Sequence, residues 1–343
     1  MPTGFATFVV RRGVNAVITL ILLVLLVFLL LHIILPTPIE LARVYAPNPR
    51  ASPAILELTV KKYGLNLPLW QQFYNYVVNV FHGNFGTDTQ YGYSEATVLR
   101  EYLPITLELV IVGQIVGVLI GLYTGAIAAA NRNRTADYGI KAIYLTAWGA
   151  PVFLVGFIAQ LIFAYYLHLF PATAIVNPVL TPPPALTGAP LIDALLARDW
   201  VYLYSAAQHL VLPALTVAVV GFGSVTRLTR ATMVDALDKD YVKLAYMKGL
   251  SKNKVVWGTA FRNAIIPIIT LIALIFAASA GGAVIVEDVF AYHGMGYFTV
   301  QAVYNLDFPA ILGFTFIIGL SVILANFVAD VLYGAADPRV RLG

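Results

Sequence analysis

Acid–base or nucleophilic chemistry needs a carboxylate, imidazole, thiol or activated hydroxyl held beside a partner. In this chain of 343 residues such groups are few and dispersed. There is no cysteine, so neither a disulfide framework nor a thiolate metal site can form. The five histidines, at 32, 82, 168, 209 and 293, are scattered and never fall at the H-E-x-x-H spacing. No G-x-x-x-x-G-K-[ST] phosphate loop and no G-x-S-x-G elbow occurs, so nothing here hydrolyses ATP or a peptide bond by itself. Two carboxylates, Glu108 and Asp330, stand close to hydrocarbon, each about one turn from the end of an apolar run. A carboxylate there can pair, cap a helix or reach water, which is a structural role. The competing role is a proton relay, the default hypothesis for an ionisable group inside a membrane. Gln114, Gln160 and Asn326 are uncharged polar side chains within apolar runs; they would bond neighbouring helices or line a hydrophilic passage.

The polar residues concentrate instead in one Lys-rich stretch, 231–262, whose centre is DYVKLAYMKGLSKNKVVWGTAFRNAIIP over Asp240–Pro267. Tyr241, Leu244 and Ala245 fall there at helical spacing, and Val234 and Leu237 extend the same face upstream. Lys239, Lys243 and Lys248 flank it. Gly249 stands at a C-terminal glycine position, Ser251 can cap a second short helix, and Pro267 marks the entry to the next apolar run. A solvated connecting loop has no use for an apolar face among its charges. The stretch reads as a docking lever, with Tyr241, Lys243, Leu244, Ala245, Gly249, Leu250 and Pro267 as its working residues and its partner outside this chain.

The elements that must carry this lever are membrane spans. Hydrophobic residues make up 60% of the chain and charged residues 11%, against about a quarter charged in a soluble protein; the mean hydropathy is +0.82. A bilayer core of about 30 Å asks for about 20 helical residues. Six runs qualify: Val14–Leu35, Leu107–Ala130, Ala142–Phe170, His209–Thr226, Ala264–Val286 and Phe308–Leu332. The fourth is short, and its helix can run on through Arg227 and Arg230, which would snorkel to the inner surface. The first exceeds a signal-peptide core and lacks a small-x-small cleavage site after it, so it reads as a retained span. This is an all-α polytopic architecture. It divides into 1–36 (N-terminal segment and first span), an external cap segment at 37–103, and a core at 104–343.

Within the cap, 53–63 is helical, and Leu69, Phe73, Tyr76, Val77 and Val80 describe an amphipathic helix beside the membrane. Residues 172–190 are Pro-rich and irregular, and a short helix over Ile192–Tyr204 follows. Gly113, Gly117, Gly121 and Gly125 repeat as small-x-x-x-small, which favours close helix packing. Of the 21 Lys and Arg, 15 fall on one side of a six-span chain; Arg43, Arg50, Lys61, Lys62, Arg100 and Arg198 fall on the other. That asymmetry places both termini in the cytoplasm. The net charge of +4 is thus topology rather than a nucleic-acid footprint.

At these residues the chain resembles a known family. Asp240–Pro267 is similar to the cytoplasmic "EAA" coupling loop of ABC-importer permeases, in the form used by the dipeptide/oligopeptide branch. Other stretches agree in order: VVRRGVNAVITLILLVLLVFLLLHIIL, YGLNLPLWQQFYNYVVNVFHGNFGTD, LPITLELV, HLVLPALTVAV, RLTRATMVDAL, GGAVIVEDVFAYHGMGYF and NFVADVLYGAADPRVR. Lys243-Leu244 stands in place of the Glu-Ala that names the loop, while Ala245 and Gly249 are kept. His293 stands where a proline is usual, and 172–190 looks extended.

The resemblance implies a type I importer permease fold with six transmembrane helices in the cell membrane. It implies four kinds of partner: a second, similar permease, two ATPase subunits, an external solute-binding protein and the lipid bilayer. ATP and magnesium would be bound by the ATPases and no cofactor by this chain, which would be no enzyme itself. The solute would be a short peptide or an oligosaccharide. The rival reading is an ion-coupled secondary transporter or channel. That would need a carboxylate or a broken helix at the bilayer midplane, and none of the six runs places an acid at its centre.

Overall fold

A chain this apolar can satisfy its backbone N–H and C=O groups in hydrocarbon only through helices or a closed barrel, and the computed structural model is built of helices. It describes residues 5–46, 51–86 and 94–336; the side chains of 5, 6, 8, 220, 266, 277, 278, 280–282 and 328–336 are outside that description. The order is α1 (Phe5–Ile34), α2 (Pro38–Tyr45), α3 (Pro53–Tyr63), α4 (Leu69–Phe81), α5 (Glu95–Ala130), α6 (Thr135–Gly149) and α7 (Val152–Ala159). A π-helical stretch, Gln160–Tyr166, continues α7. Then come α8 (Pro190–Ala197), α9 (Trp200–Leu237), α10 (Asp240–Met247), a second π-helical stretch at Lys254–Ala260, α11 (Phe261–Val289), α12 (Met295–Tyr304) and α13 (Phe308–Ala336).

Four helices are long and apolar enough to cross a bilayer singly, and two bent pairs raise the number to six. The expected third span, Ala142–Phe170, is one of those pairs: Thr135–Gly149 and Val152–Tyr166 meet at 109°. Pro151 is the cause, because the residue before a proline is pushed out of the helical region, and Ala150 sits at φ −81, ψ 133. A bend of this size fits a broken span or a re-entrant loop. The other bend, 64°, falls between Ile265 and Pro267, where the missing proline N–H interrupts the ladder.

The centre of the molecule is the pair α5 and α9. Each of the four stripe glycines faces α9 with no room for a side chain. A Cβ on Gly117 would lie 2.6 Å from the Ala218 carbonyl oxygen, and one on Gly125 2.6 Å from Thr229 Cβ. The stripe lets the two backbones approach closely, and Thr124 Oγ1 and Thr226 Oγ1 meet across the seam at 3.0 Å. The extension of α9 through Arg227 and Arg230 is present, and both side chains meet partners on α6. Arg230 forms a two-point ion pair with Asp137 (2.6 and 2.8 Å), and the Arg227 guanidinium lies over the Trp148 ring at 5.1 Å.

The segment 37–103 shares its core with α1 and α13 rather than standing apart: Leu41, Leu56 and Leu65 pack on Phe28, Leu31, Phe308 and Leu312. It lies beside the ends of these two spans, and α5 already begins at Glu95, inside the stretch assigned to the cap. Helix α2 was not expected among the prolines. Pro38 occupies its first turn, and Thr37 and Glu40 close a capping box around it. The short helix expected over Ile192–Tyr204 is instead split. Arg198 takes a left-handed conformation (φ 57) that ends α8, and the Asp199 side chain caps α9 by accepting from the Tyr202 N–H at 3.0 Å.

Candidate coupling site and polar interior

Helix α10 hangs between the end of α9 and the π-helical start of α11. Its C-terminus is a Schellman motif: the Leu250 N–H donates to the Ala245 carbonyl (3.3 Å) and the Gly249 N–H to that of Tyr246 (2.9 Å). Gly249 is left-handed (φ 75), with open space around its missing Cβ. The next turn starts after Ser251, whose backbone carbonyl accepts from the Val255 N–H at 3.0 Å.

One side of α10 is welded to the bundle. Val242 (1% exposed) and Ala245 (6%) pack with Met233 and Ala236 of α9, Ala126 and Ala129 of α5, and Val255, Val256, Ala260 and Ala264 on the way into α11. Full burial of a valine stabilises by about 1.5–3 kcal/mol, so this patch fixes α10 to three long helices at once. The other side is bare: Tyr241, Leu244, Tyr246, Met247 and Leu250 are all exposed, Met247 most at 82%. The sequence grouping of Tyr241, Leu244 and Ala245 on one face therefore needs correction: Ala245 points inward. At about 100° per residue, Val242 and Ala245 define the buried direction, and Tyr241 and Leu244 lie off it. Lys243 is spent within the helix, its Nζ 2.8 Å from Asp240 Oδ1. Pro267 is exposed, inside α11 at the bend.

Behind the lever, Asp137 is fully buried and receives Arg230, Lys141 Nζ (3.0 Å) and the Asn133 N–H (2.9 Å). It locks α6 to α9. Arg132 and Asp238 also pair at 3.1 Å, but both are well exposed, and such pairs contribute little.

The polar side chains of the interior go to neighbouring elements. Gln114, fully buried, donates to Ser279 Oγ at 2.6 Å and so joins α5 to α11. Its Oε1 has no partner among the described residues and lies where a Cβ on Gly221 would sit. Gln160 donates to the carbonyls of Ala172 (2.9 Å) and Val289 (3.0 Å), tying the π-helical stretch to α11. It also borders a groove of about 870 Å³ with Phe157, Tyr165, His168 and Gln208. Asn326 borders a crevice of about 180 Å³ between α1 and α13, together with Arg12, Asn15 and Thr19. Glu108 caps α8, Oε2 accepting from the Leu191 N–H at 3.0 Å. Asp330 is on α13, but its side chain is outside the described residues.

One buried group was missed. Glu287, fully buried, accepts from Thr106 Oγ1 (2.6 Å) and from the Tyr297 N–H (2.9 Å). Its acidity was visible in the sequence; its partner on α5 was not.

Residues 117–342 match the family described as binding-protein-dependent transport system inner membrane component, and residues 5–107 match the N-terminal component of the same systems. The chain is 38% identical over 316 residues (92% of each chain) to the probable D,D-dipeptide transport system permease protein DdpB of Escherichia coli strain K12. It is 33% identical over 338 residues (98% of each) to the di/tripeptide transport system permease protein DppB of Pseudomonas aeruginosa strain UCBPP-PA14. Against the oligopeptide transport system permease protein AppB of Bacillus subtilis strain 168 it is 30% identical over 337 residues (98% of this chain, 99% of the other). The chain belongs to the inner-membrane permease components of binding-protein-dependent ABC transport systems, with the type I importer permease fold, and is a multi-pass transport protein of the plasma membrane.

Proposed function

We propose that this chain is one of two permease subunits of an importer for short peptides, and that ATPase subunits grip it by the bare face of α10. The two-sidedness of α10 supports the grip: Val242 and Ala245 are fastened to α5, α9 and the start of α11, while Leu244 (56% exposed) and Met247 (82% exposed) are uncovered. An apolar face left open beside lysines suits a protein partner. When the ATPase pair closes on ATP, the push on α10 passes through its buried side to α9 and, around Pro267, into α11. The solute path then lies at the interface with the second permease, and an external binding protein delivers the solute.

Nucleotide and magnesium stay in the ATPases, and this chain holds no cofactor. The excess of Lys and Arg at the α10 end supports a cytoplasmic side for that end and for both termini. The relatives named above carry peptide transport in their names, which supports peptides over oligosaccharides. Leu244→Asp tests the grip: the chain still inserts in the membrane, and the ATPase subunits no longer co-purify with it. A complete complex with full uptake would refute it. In vesicles, uptake that follows ATP and ignores an ionophore separates this carrier from an ion-coupled one.

A further inference from the structure

We propose that Glu287 is a positioning residue that fastens the short external helix α12 to α11 and α5, so that a swing of α11 reaches the external face as one body. This rests on the reading that α11 is driven from α10. The carboxyl group is the hub of a three-helix junction, with one side chain each from α11 and α5 and two backbone N–H groups from α12. Glu287 Oε1, on α11, accepts from Thr106 Oγ1 of α5 at 2.6 Å. Oε2 accepts from the Tyr297 N–H at 2.9 Å, in the first turn of α12. Thr106 Oγ1 in turn accepts from the Met295 N–H at 2.8 Å, again in that first turn. This bond leaves the hydroxyl proton free to go to Glu287. The junction therefore uses free N–H groups at a helix start, which attract a carboxylate both as donors and through the helix dipole.

The backbone around the junction is shaped to admit it. A Cβ on Gly294 would lie 2.5 Å from Thr106 Oγ1 and 2.7 Å from Glu287 Cδ. One on Gly296 would lie 2.7 Å from Val284 Cα and 3.0 Å from Glu287 Oε2. Glycine on either side of Met295 is thus what lets α12 start on top of the carboxylate. Among the described residues no Lys or Arg pairs with Glu287, so this buried carboxyl group is held by directional hydrogen bonds alone. Apolar packing, as between α5 and α9, would join three helices with less desolvation; it would not fix their mutual orientation. Glu287 lies two residues before the end of α11, the helix whose other end receives α10 through Val255, Val256 and Ala264. The two ends of one helix thus hold the lever and the external clasp.

The test uses the assembled transporter. Because the chain has no cysteine, spin labels can be placed singly at Ile285 and Val303, both half exposed on α11 and α12. The expected result is one inter-label distance in the resting and the vanadate-trapped states. Glu287→Gln replaces one of the two accepting oxygens by an NH2 donor, so the Thr106 hydroxyl and the Tyr297 N–H can no longer both donate to it. Thr106→Val removes the hydroxyl at equal volume. Both variants are expected to broaden that distance and to lower uptake about tenfold while the ATPase subunits still co-purify; Thr106→Ser restores both readouts. ATP-driven uptake that survives both variants with unchanged distances overturns the clasp alone. Uptake that needs no ATP in the unaltered carrier would overturn the reading beneath it as well.

Discussion

The two ends of α11 are held by opposite chemistry. At the basic end, Val242, Ala245, Val255, Val256 and Met233 pack as a purely apolar patch. At the far end, Glu287 and Thr106 hold α12 through hydrogen bonds of 2.6–2.9 Å, and Glu108 holds α8 in the same way. Apolar contact is non-directional and scales with area, so the patch at α10 holds by the surface it buries. A carboxylate on helix-start N–H groups loses its bonds on a small rotation. The end that is pushed is held by buried area, and the end that must deliver the motion is held by direction.

That contrast can be broken at graded cost. The largest effect is expected from Asp137→Ala, which leaves Arg230 with its buried partner removed. Breaking a buried pair in this way costs about 3–5 kcal/mol, and the purified complex should unfold at a clearly lower temperature. A smaller effect is expected from Gly249→Ala. The position is open but left-handed, so the change costs about 1–2 kcal/mol and should appear as faster amide exchange confined to α10. Lys243→Ala sharpens the contrast by doing least, because the Lys243–Asp240 pair is exposed; co-purification should stay within about twofold. Bonding to Lys243 holds the Asp240 carboxyl below its ordinary range, and the same contact raises Lys243. Stability from a depressed carboxylate is present above its unfolded value and is lost only as pH falls through the folded one. ATPase co-purification should therefore be flat from about pH 6 to 8.

Much of the fold could be read from local chemistry. The glycine stripe of α5 announces a close helix contact, and Gly249 after an amphipathic turn announces the Schellman stop. The break before Pro151 and the Thr37–Glu40 capping box that starts α2 went unread, although Gly-Ala-Pro and Thr-Pro-Ile-Glu stand in the sequence. The side on which Ala245 falls was not legible. Helical spacing places Tyr241, Leu244 and Ala245 in one band, but the buried direction is set by Val242 and by residues of α5, α9 and α11 that arrive from elsewhere in the chain. Glu287 was harder still. Its acidic neighbourhood signals only an external loop, and its meaning depends on Thr106, 181 residues away.

The grip on α10 can be measured directly with a photo-crosslinking side chain at Met247, the most exposed apolar position of the helix at 82%, in the complete transporter in its membrane. The account predicts an adduct between this chain and an ATPase subunit, lost in the Leu244→Asp background. Adducts with lipid only, or no adduct while the carrier still imports its solute on ATP, would contradict it.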